Sequence, residues 1–381
     1  MKMSSATILH LSESLTRLGG CEIFLNNWLQ SDTGSRAAAL LDSQRRLDNP
    51  ESQIGLRPNR LYSLARIRSF VRSRHLQCKT LICHNFAGLT ALSDLIECER
   101  LVVYLHTNSA DVWPRVLRLA PFVDGYVACG NGLAGEVKKL LGESPVTVAS
   151  FDSPFDDAFF LVQRPPKSGG ILIGYAGRLV IEQKRVDRLR EFCQALLAQG
   201  VDFRLQITGD GPDQARLARL LAPFPVEFLG LLKREDLFGT FAAWDFQIIT
   251  SDYETGPLTS LEGMACGIVP ILPDIDCQAA DLVRGRFNHL LYPVGKMAEA
   301  ANCLRLSASQ SPSTMESLRS DLRRLVAPRS MKNNLHEAYK TLAAIHAKPS
   351  VRKKFYFQTS WQDLLPMAVR CRLSGGSEFL K

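Results

Sequence analysis

No apolar run in this 381-residue chain approaches the ~20 residues that a membrane-crossing helix requires. The N-terminus, MKMSSATILHLSES, also lacks the long apolar core of a secretory signal. The ten cysteines are scattered, with no C-x-x-C pair, which argues against a zinc ribbon or a disulfide framework. Most fall in apolar runs, as Cys78, Cys83 and Cys193 do, and read as small buried hydrophobes of a reducing cytoplasm. There is no G-x-G-x-x-G dinucleotide fingerprint. The basic segments lack the aromatic interleaving and the motifs of a nucleic-acid binder. No Ser or Cys groups with a His–Asp pair for nucleophilic catalysis, and no carboxylate cluster suits a divalent metal. What is present is globular: 46% hydrophobic and 22% charged residues, in a chain long enough for two ordinary domains. The formal net charge of +8 points to an anionic partner.

The most informative stretch is SDYETGPLTSLEGMACGIVP, from Ser251 to Pro270. Apolar strands lead in at 246–250 and out at 268–272, so strand, turn, short helix and strand form one βαβ unit of a parallel sheet. Ligands of such sheets lie where strands end and helices begin. The Thr255-Gly256-Pro257-Leu258 turn offers backbone N–H groups and a helix N-terminus to an anion. If the helix starts near Pro257, Glu262 faces a cleft from its second turn and Glu254 occupies the rim. Carboxylates beside a phosphate-binding turn would repel phosphate, so sugar hydroxyls are their natural partners. Upstream, Ile171–Ala176 reads as a strand that ends at Gly177-Arg178, with Lys184 six residues beyond Arg178. An Arg that grips bidentately and a Lys that acts as a point charge can hold two phosphates. Arg185 is an alternative to Lys184 if the loop is displaced by one residue. Phe203–Thr208 is a strand followed by Gly209-Asp210-Gly211-Pro212, where Asp210 or Asp213 can cap the next helix.

In the first half, two strands each end in a histidine, His84 before Asn85 and His106 before Thr107. Two such residues at equivalent places in successive βα units suggest one shared cleft. Gly19-Gly20, before a helix carrying Ile23, Phe24, Trp28 and Leu29, permits close ligand approach or serves as a plain turn. Residues 57–79 hold seven basic side chains and no acidic one, behind an apolar stripe of Leu61, Leu64, Ile67 and Val71. That is a solvated basic helix face, or one that meets anionic lipid or a phosphate-bearing acceptor. A polar, Pro/Gly-containing linker at 163–170 separates domains assigned to residues 1–164 and 165–345. Residues 346–381 are expected to hold a tail, basic at 352–354, whose helix at 361–372 returns to the first domain.

The ordered set of Arg178, Lys184, Gly209-x-Gly211-Pro212, Glu254-x7-Glu262 and the flanking strands resembles the retaining GT-B glycosyltransferases, family 4 in particular. The resemblance runs roughly from Thr7 to His346. It implies an α/β fold of two Rossmann-like domains facing across a central cleft. It further implies metal-independent transfer of a sugar from a nucleotide sugar, UDP- or GDP-linked, to a hydroxyl of a glycan or lipid-linked glycan. No cofactor and no nucleic acid are implied. The setting is the cytoplasm, with peripheral contact to the inner face of the membrane through 57–79 and 352–354. By the same resemblance, Arg178, Lys184, Glu254 and His106 are catalytic. Gly19, Gly20, Gly209, Gly211, Gly230, Leu231, Thr255, Gly256, Pro257, Leu258 and Glu262 bind donor and nucleotide, and His84, Asn85 and Asn131 the acceptor. Departures from the family pattern fall at Cys129-Gly130-Asn131, at Ser150–Pro154 and at Thr255-Gly256-Pro257. A nucleotide-sugar epimerase and a silent glycan- or partner-binding protein are the alternatives on the same fold.

Overall fold

The computed structural model describes residues 6–15, 19–40, 42, 52–56, 63–165 and 169–347. Two compact units emerge: residues up to Ser153 together with Leu335 onward, and Pro154–Asn334.

The first unit is built on a seven-stranded sheet of β1 (Ala6–Ser12), β2 (Ser35–Ala39), β3 (Gln53–Gly55), β4 (Gln77–His84), β5 (Glu97–Leu105), β6 (Gly125–Ala128) and β7 (Thr147–Ser150). Their order is β3-β2-β1-β4-β5-β6-β7, every neighbour parallel. A parallel sheet is covered on both faces, so its strands are continuous apolar runs; Leu81, Ile82 and Cys83 of β4 are all buried. Helices α1 (Gly20–Ser31), α2 (Leu64–Arg74), α3 (Leu89–Leu92), α4 (Val112–Leu119) and α5 (Gly130–Leu141) make the crossovers. The α2 helix starts where Ser63 Oγ accepts the Arg66 N–H and stops at His75, which adopts a left-handed conformation. Leu64, Ile67 and Val71 are its buried stripe, while Arg66, Arg72 and Arg74 are exposed. Arg68 leaves the basic face to grip Asp94 through two hydrogen bonds of 2.8 and 2.6 Å. Residues 57–62 of the basic segment lie outside the described residues.

The second unit has a six-stranded sheet of β8 (Ile171–Ala176), β9 (Phe203–Thr208), β10 (Val226–Gly230), β11 (Phe246–Ile248), β12 (Val269–Pro273) and β13 (Leu291–Tyr292). Their order is β10-β9-β8-β11-β12-β13, again all parallel. Between and after them run α6 (Ile181–Lys184), α7 (Leu189–Ala198), α8 (Gln214–Leu221), α9 (Arg234–Ala243), α10 (Leu258–Ala265), α11 (Gln278–Val283), α12 (Met297–Ala308) and α13 (Pro312–Val326). Strand order reverses between β8 and β11 here, and between β1 and β4 in the first unit. These are the switch points at which open α/β sheets bind ligands.

The residues before the polar linker pack on the second unit. Arg323 donates to Phe160 O at 2.6 Å, and Phe159 meets the Phe238 ring edge-on. A last helix, α14 (Met331–Ala343), carries the chain to the first unit. There Arg100 donates to Leu342 O at 2.8 Å and Tyr339 bonds Asp32. The return helix expected at 361–372, and the basic residues 352–354, lie outside the described residues. Among the described residues, no helix is long and apolar enough to cross a membrane.

Candidate active site

At the β8/β11 switch point the ends of two adjacent strands bring opposite charges together. Lys184, the last residue of α6, places Nζ 2.5 Å from Glu254 Oε1, and Ser251 Oγ donates to the same oxygen at 2.6 Å. The Lys184 carbonyl accepts the Thr250 hydroxyl at 2.7 Å, which ties α6 to the end of β11. Arg185, the sequence alternative to Lys184, is engaged elsewhere. It adopts φ +47° and pairs with Asp187 at 3.3 Å and Asp252 at 3.0 Å. Burial pushes the Asp252 carboxyl up, but its hydrogen bonds with Arg185 and Arg188 outweigh this and hold it below the usual carboxylate range. Lys184 is therefore the cation directed at the Glu254 turn. Glu254 does not occupy the rim as expected; it is buried, because the loop folds over its ion pair. Arg178 is exposed on the loop after β8, with one long hydrogen bond of 3.5 Å to Gln183.

The Arg178 loop is held by the turn after β9. Leu179 N–H donates to Asp210 O at 2.9 Å, and Asp213 N–H donates to Leu179 O at 3.1 Å. Neither aspartate caps α8 with its side chain: Asp213 occupies the N-cap position, but its carboxylate accepts the Ile181 N–H at 2.8 Å. The two glycines explain how closely these backbones approach. A Cβ on Gly209, at φ +131°, would lie 1.9 Å from Gly177 O, and one on Gly211 would lie 2.2 Å from Leu179 O. Gly209→Ala is therefore expected to destabilise the second unit by at least the 1–3 kcal/mol typical of overpacking, roughly, and to displace Arg178. A denaturant titration checks the first effect, and a midpoint within error of wild type contradicts it.

Glu262 lies in the second turn of α10, which begins at Leu258 with Pro257 as N-cap rather than as first helical residue. It is buried, and that desolvation pushes its pKa up to about 7 against the opposing pull of Arg234. Arg234, at the start of α9, is itself lowered by burial; it pairs with Asp156. Thr259 Oγ1 donates to Ala176 O at 3.1 Å and so fixes α10 to the end of β8. Thr255 O accepts the Gln278 N–H at 2.9 Å. Gly230, at φ +67°, accepts from Gly209 N–H, and Leu231 beside it is 56% exposed.

The first unit carries its own cluster at strand ends. His84 closes β4 and His106 follows β5, and their rings meet, His84 Nδ1 lying 2.7 Å from His106 Nε2. A third histidine, His10 of β1, continues the row with Nδ1 2.9 Å from His84 Nε2. Burial lowers all three pKa values, those of His10 and His106 to about 3, so the rings are neutral. Asn85 joins the two strand ends by accepting the His106 N–H at 2.8 Å. Asn85 and Phe86 both have positive φ, +47° and +66°; for a buried phenylalanine this is strain of the kind that gathers at functional sites. Asn131 stands exposed in the first turn of α5 and accepts the Ser150 hydroxyl at 2.6 Å. Gly19 is the N-cap of α1; a Cβ there would meet the Glu22 carboxylate at 2.6 Å, whereas Gly20 faces open space.

Thus the structure brings Lys184 beside Glu254 and His84 beside His106. It adds His10, Ser251 and Arg234, which sequence reasoning missed. His10 had a readable signal, a histidine near the end of a buried strand like the other two. Ser251 and Arg234 had none, being an ordinary loop serine and the first residue of an ordinary helix.

Two parallel-sheet Rossmann-like units give the GT-B fold, and residues 170–308 match the family model described as glycosyl transferases group 1. The solved structure of Anabaena Alr3699/HepE in complex with UDP and glucose superposes with a TM-score of 0.72 at 18% identity, covering 89% of this chain and all of that one. Among curated proteins, a GDP-mannose-dependent alpha-(1-6)-phosphatidylinositol dimannoside mannosyltransferase of Mycobacterium tuberculosis is 40% identical over 98 residues, 26% of each chain. The exopolysaccharide phosphotransferase SCO2592 of Streptomyces coelicolor is 28% identical over 248 residues, 61% of this chain and 25% of that protein. The chain therefore spans about a quarter of the length of these curated relatives.

Proposed function

We propose that this protein is a retaining glycosyltransferase that moves a hexose from a nucleotide diphosphate sugar to a hydroxyl of a glycan or lipid-linked glycan, without a metal. The observation that carries this reading is the Lys184–Glu254 pair at the β8/β11 switch point, with exposed Arg178 on the loop after β8 and buried Glu262 on α10. In the reaction, the bond from the anomeric carbon to the diphosphate breaks and the acceptor oxygen takes its place on the same face, its proton passing to the departing diphosphate oxygen. Charge builds on the departing diphosphate; Arg178, Lys184 and the N–H groups around Gly256 oppose it. Glu254 accepts hydrogen bonds from the sugar, and Glu262 from the ribose. The base lies along Gly209, Gly211, Gly230 and Leu231, with Thr255, Pro257 and Leu258 shaping the phosphate turn. His106 meets the donor sugar, while Asn85 and Asn131 line the acceptor side; His84, expected there too, is buried with both ring nitrogens engaged by His10 and His106. The exposed arginines of α2 meet anionic lipid at the cytoplasmic face of a membrane, where a lipid-linked acceptor would reside.

Thermal unfolding against UDP, GDP, ADP and their sugar conjugates tests the reading, with Glu262→Ala alongside. GDP-mannose and UDP-glucose stand first, after the mannosyltransferase relative and the UDP–glucose complex. A ligand at about 100 times its Kd stabilises by about 2.7 kcal/mol. A shift with one nucleotide family, weakened in Glu262→Ala, is expected. No shift with any of them, together with no donor hydrolysis, overturns the proposal.

A further inference from the structure

Three histidines of the first unit, His10, His84 and His106, form a continuous row. His10 Nδ1 lies 2.9 Å from His84 Nε2, and His84 Nδ1 lies 2.7 Å from His106 Nε2. Successive rings are nearly parallel: His10 and His84 are inclined by 28°, His84 and His106 by 29°, and Tyr104 covers His106 at 4.4 Å. Trp28 closes the far end edge-on to His10, and Phe24 packs against both His84 and His106.

A neutral imidazole carries one proton, so each nitrogen–nitrogen contact holds one proton and the row has two settings. In one, all three residues are protonated on Nδ1 and donate outward from His10 to His106. In the other, all three are protonated on Nε2 and donate inward. The inward setting ends on a His10 Nε2–H that is buried and has no hydrogen-bond partner among the described residues. An orphaned buried N–H is rarer than an under-used acceptor, so the outward setting is favoured.

Cys21 Sγ and one ring nitrogen each of His84 and His106 all lie within 4.8 Å of one another, which raises the question of a metal. Two nitrogens bound to one tetrahedral zinc at 2.0–2.1 Å stand about 3.3 Å apart. The observed 2.7 Å is a hydrogen-bond distance instead.

We infer that His10, acting through His84, fixes the tautomer and orientation of His106, so that its proton sits on Nδ1 and His106 acts as a neutral hydrogen-bond donor rather than as a base. His10 is a positioning residue, two rings removed from His106. The assignment of a sugar hydroxyl to that donor rests on the glycosyl-transfer reading; the tautomer chain does not.

Two-bond proton–nitrogen correlation spectra of the full chain with 15N-labelled histidine test it, with signals assigned from single-histidine variants. His10, His84 and His106 are each expected to show a protonated Nδ1 and a bare Nε2, the reverse of the tautomer that free histidine prefers. In His10→Phe, His106 is expected to lose its single tautomer, and kcat to fall about tenfold with nucleotide binding retained. That loss stays well below the roughly 10⁴ that a wrong tautomer costs a catalytic base, because His106 moves no proton. His10→Gln, whose amide can still donate to His84 Nε2, is expected to keep the wild-type pattern; it also serves as the test if His10→Phe does not fold. Protonated Nε2 on His84 or His106 in the wild type overturns the inference, as does an unchanged His106 signal in His10→Phe. If no glycosyl transfer is found, the spectra still decide the tautomer chain, so the two failures are distinguishable.

Discussion

Lys184→Ala is expected to lower kcat with the cognate donor by about 100–1,000-fold, the ~2.7–4 kcal/mol that loss of one preorganised charge-stabilising contact costs. The structure adds a second consequence. Lys184 is the cation paired with buried Glu254, so its removal leaves a carboxylate with only the Ser251 hydroxyl for company. Breaking such a pair from one side is strongly destabilising, because the remaining charge stays buried. The two effects separate in a double-mutant cycle. Lys184→Ala combined with Glu254→Gln is expected to recover much of the lost stability and none of the lost activity. If Lys184 serves only to neutralise Glu254, the double variant is as active as Glu254→Gln alone. Arg178→Ala gives the complementary case: the side chain is exposed, so stability should hold while kcat falls over the same range. Activity within about threefold of wild type in both single variants contradicts the phosphate assignment.

The difference between Lys184 and Arg185 also shows what sequence can and cannot convey. The β8 and β11 strands, the turns after them and the order of the motifs were all readable, because apolar runs and glycine turns are local signals. Which of two adjacent cations faces the site was not. It depends on Arg185 taking a left-handed conformation and finding Asp187 and Asp252, the latter 67 residues away. The depth of Glu254 was hidden for the same reason, since its ion pair spans 70 residues. In the first unit, the pairing of His84 with His106 followed from equivalent strand ends. His10 escaped because its neighbours Leu9 and Leu11 make it read as one more interior strand position. Only the sheet order, with β1 beside β4, puts it in line. The glycines at 209 and 211 were legible as a turn. Their main structural demand, room for the backbone at Gly177 and Leu179, is a tertiary contact with no local trace.

Glu262→Gln is expected to make the protein more stable and less active, with both effects set by pH. Burial raises the Glu262 carboxyl from its ordinary 4.5 to about 7. Between these values the unfolded chain carries an ionised carboxylate while the folded one holds its proton. The unfolded state therefore binds fewer protons, and stability falls as pH rises from about 4.5 to about 7. Above that window the folded protein bears the full penalty, of order 3 kcal/mol at 1.36 kcal/mol per pKa unit. A glutamine carries no such charge. Denaturant titrations should thus show the variant more stable than wild type at pH 8 and nearly equal to it at pH 4.5. Function runs the other way. On the proposed reading, two ribose hydroxyls need an acceptor on each oxygen, which the carboxylate supplies and the amide does not. The lost hydrogen bond to a charged group is worth about 1.5–3 kcal/mol, roughly 10–150-fold in kcat/KM for the donor. In the wild type kcat/KM should rise with pH through about 7 as the free enzyme's carboxyl ionises, and in the variant that limb should disappear. A variant that keeps the limb assigns it to another group. One that loses stability at pH 8 shows that the carboxylate holds the fold, and that Arg234 offsets its burial more fully than the raised pKa implies. The expected pattern, stability gained where activity is lost, marks a buried charge retained for what it binds.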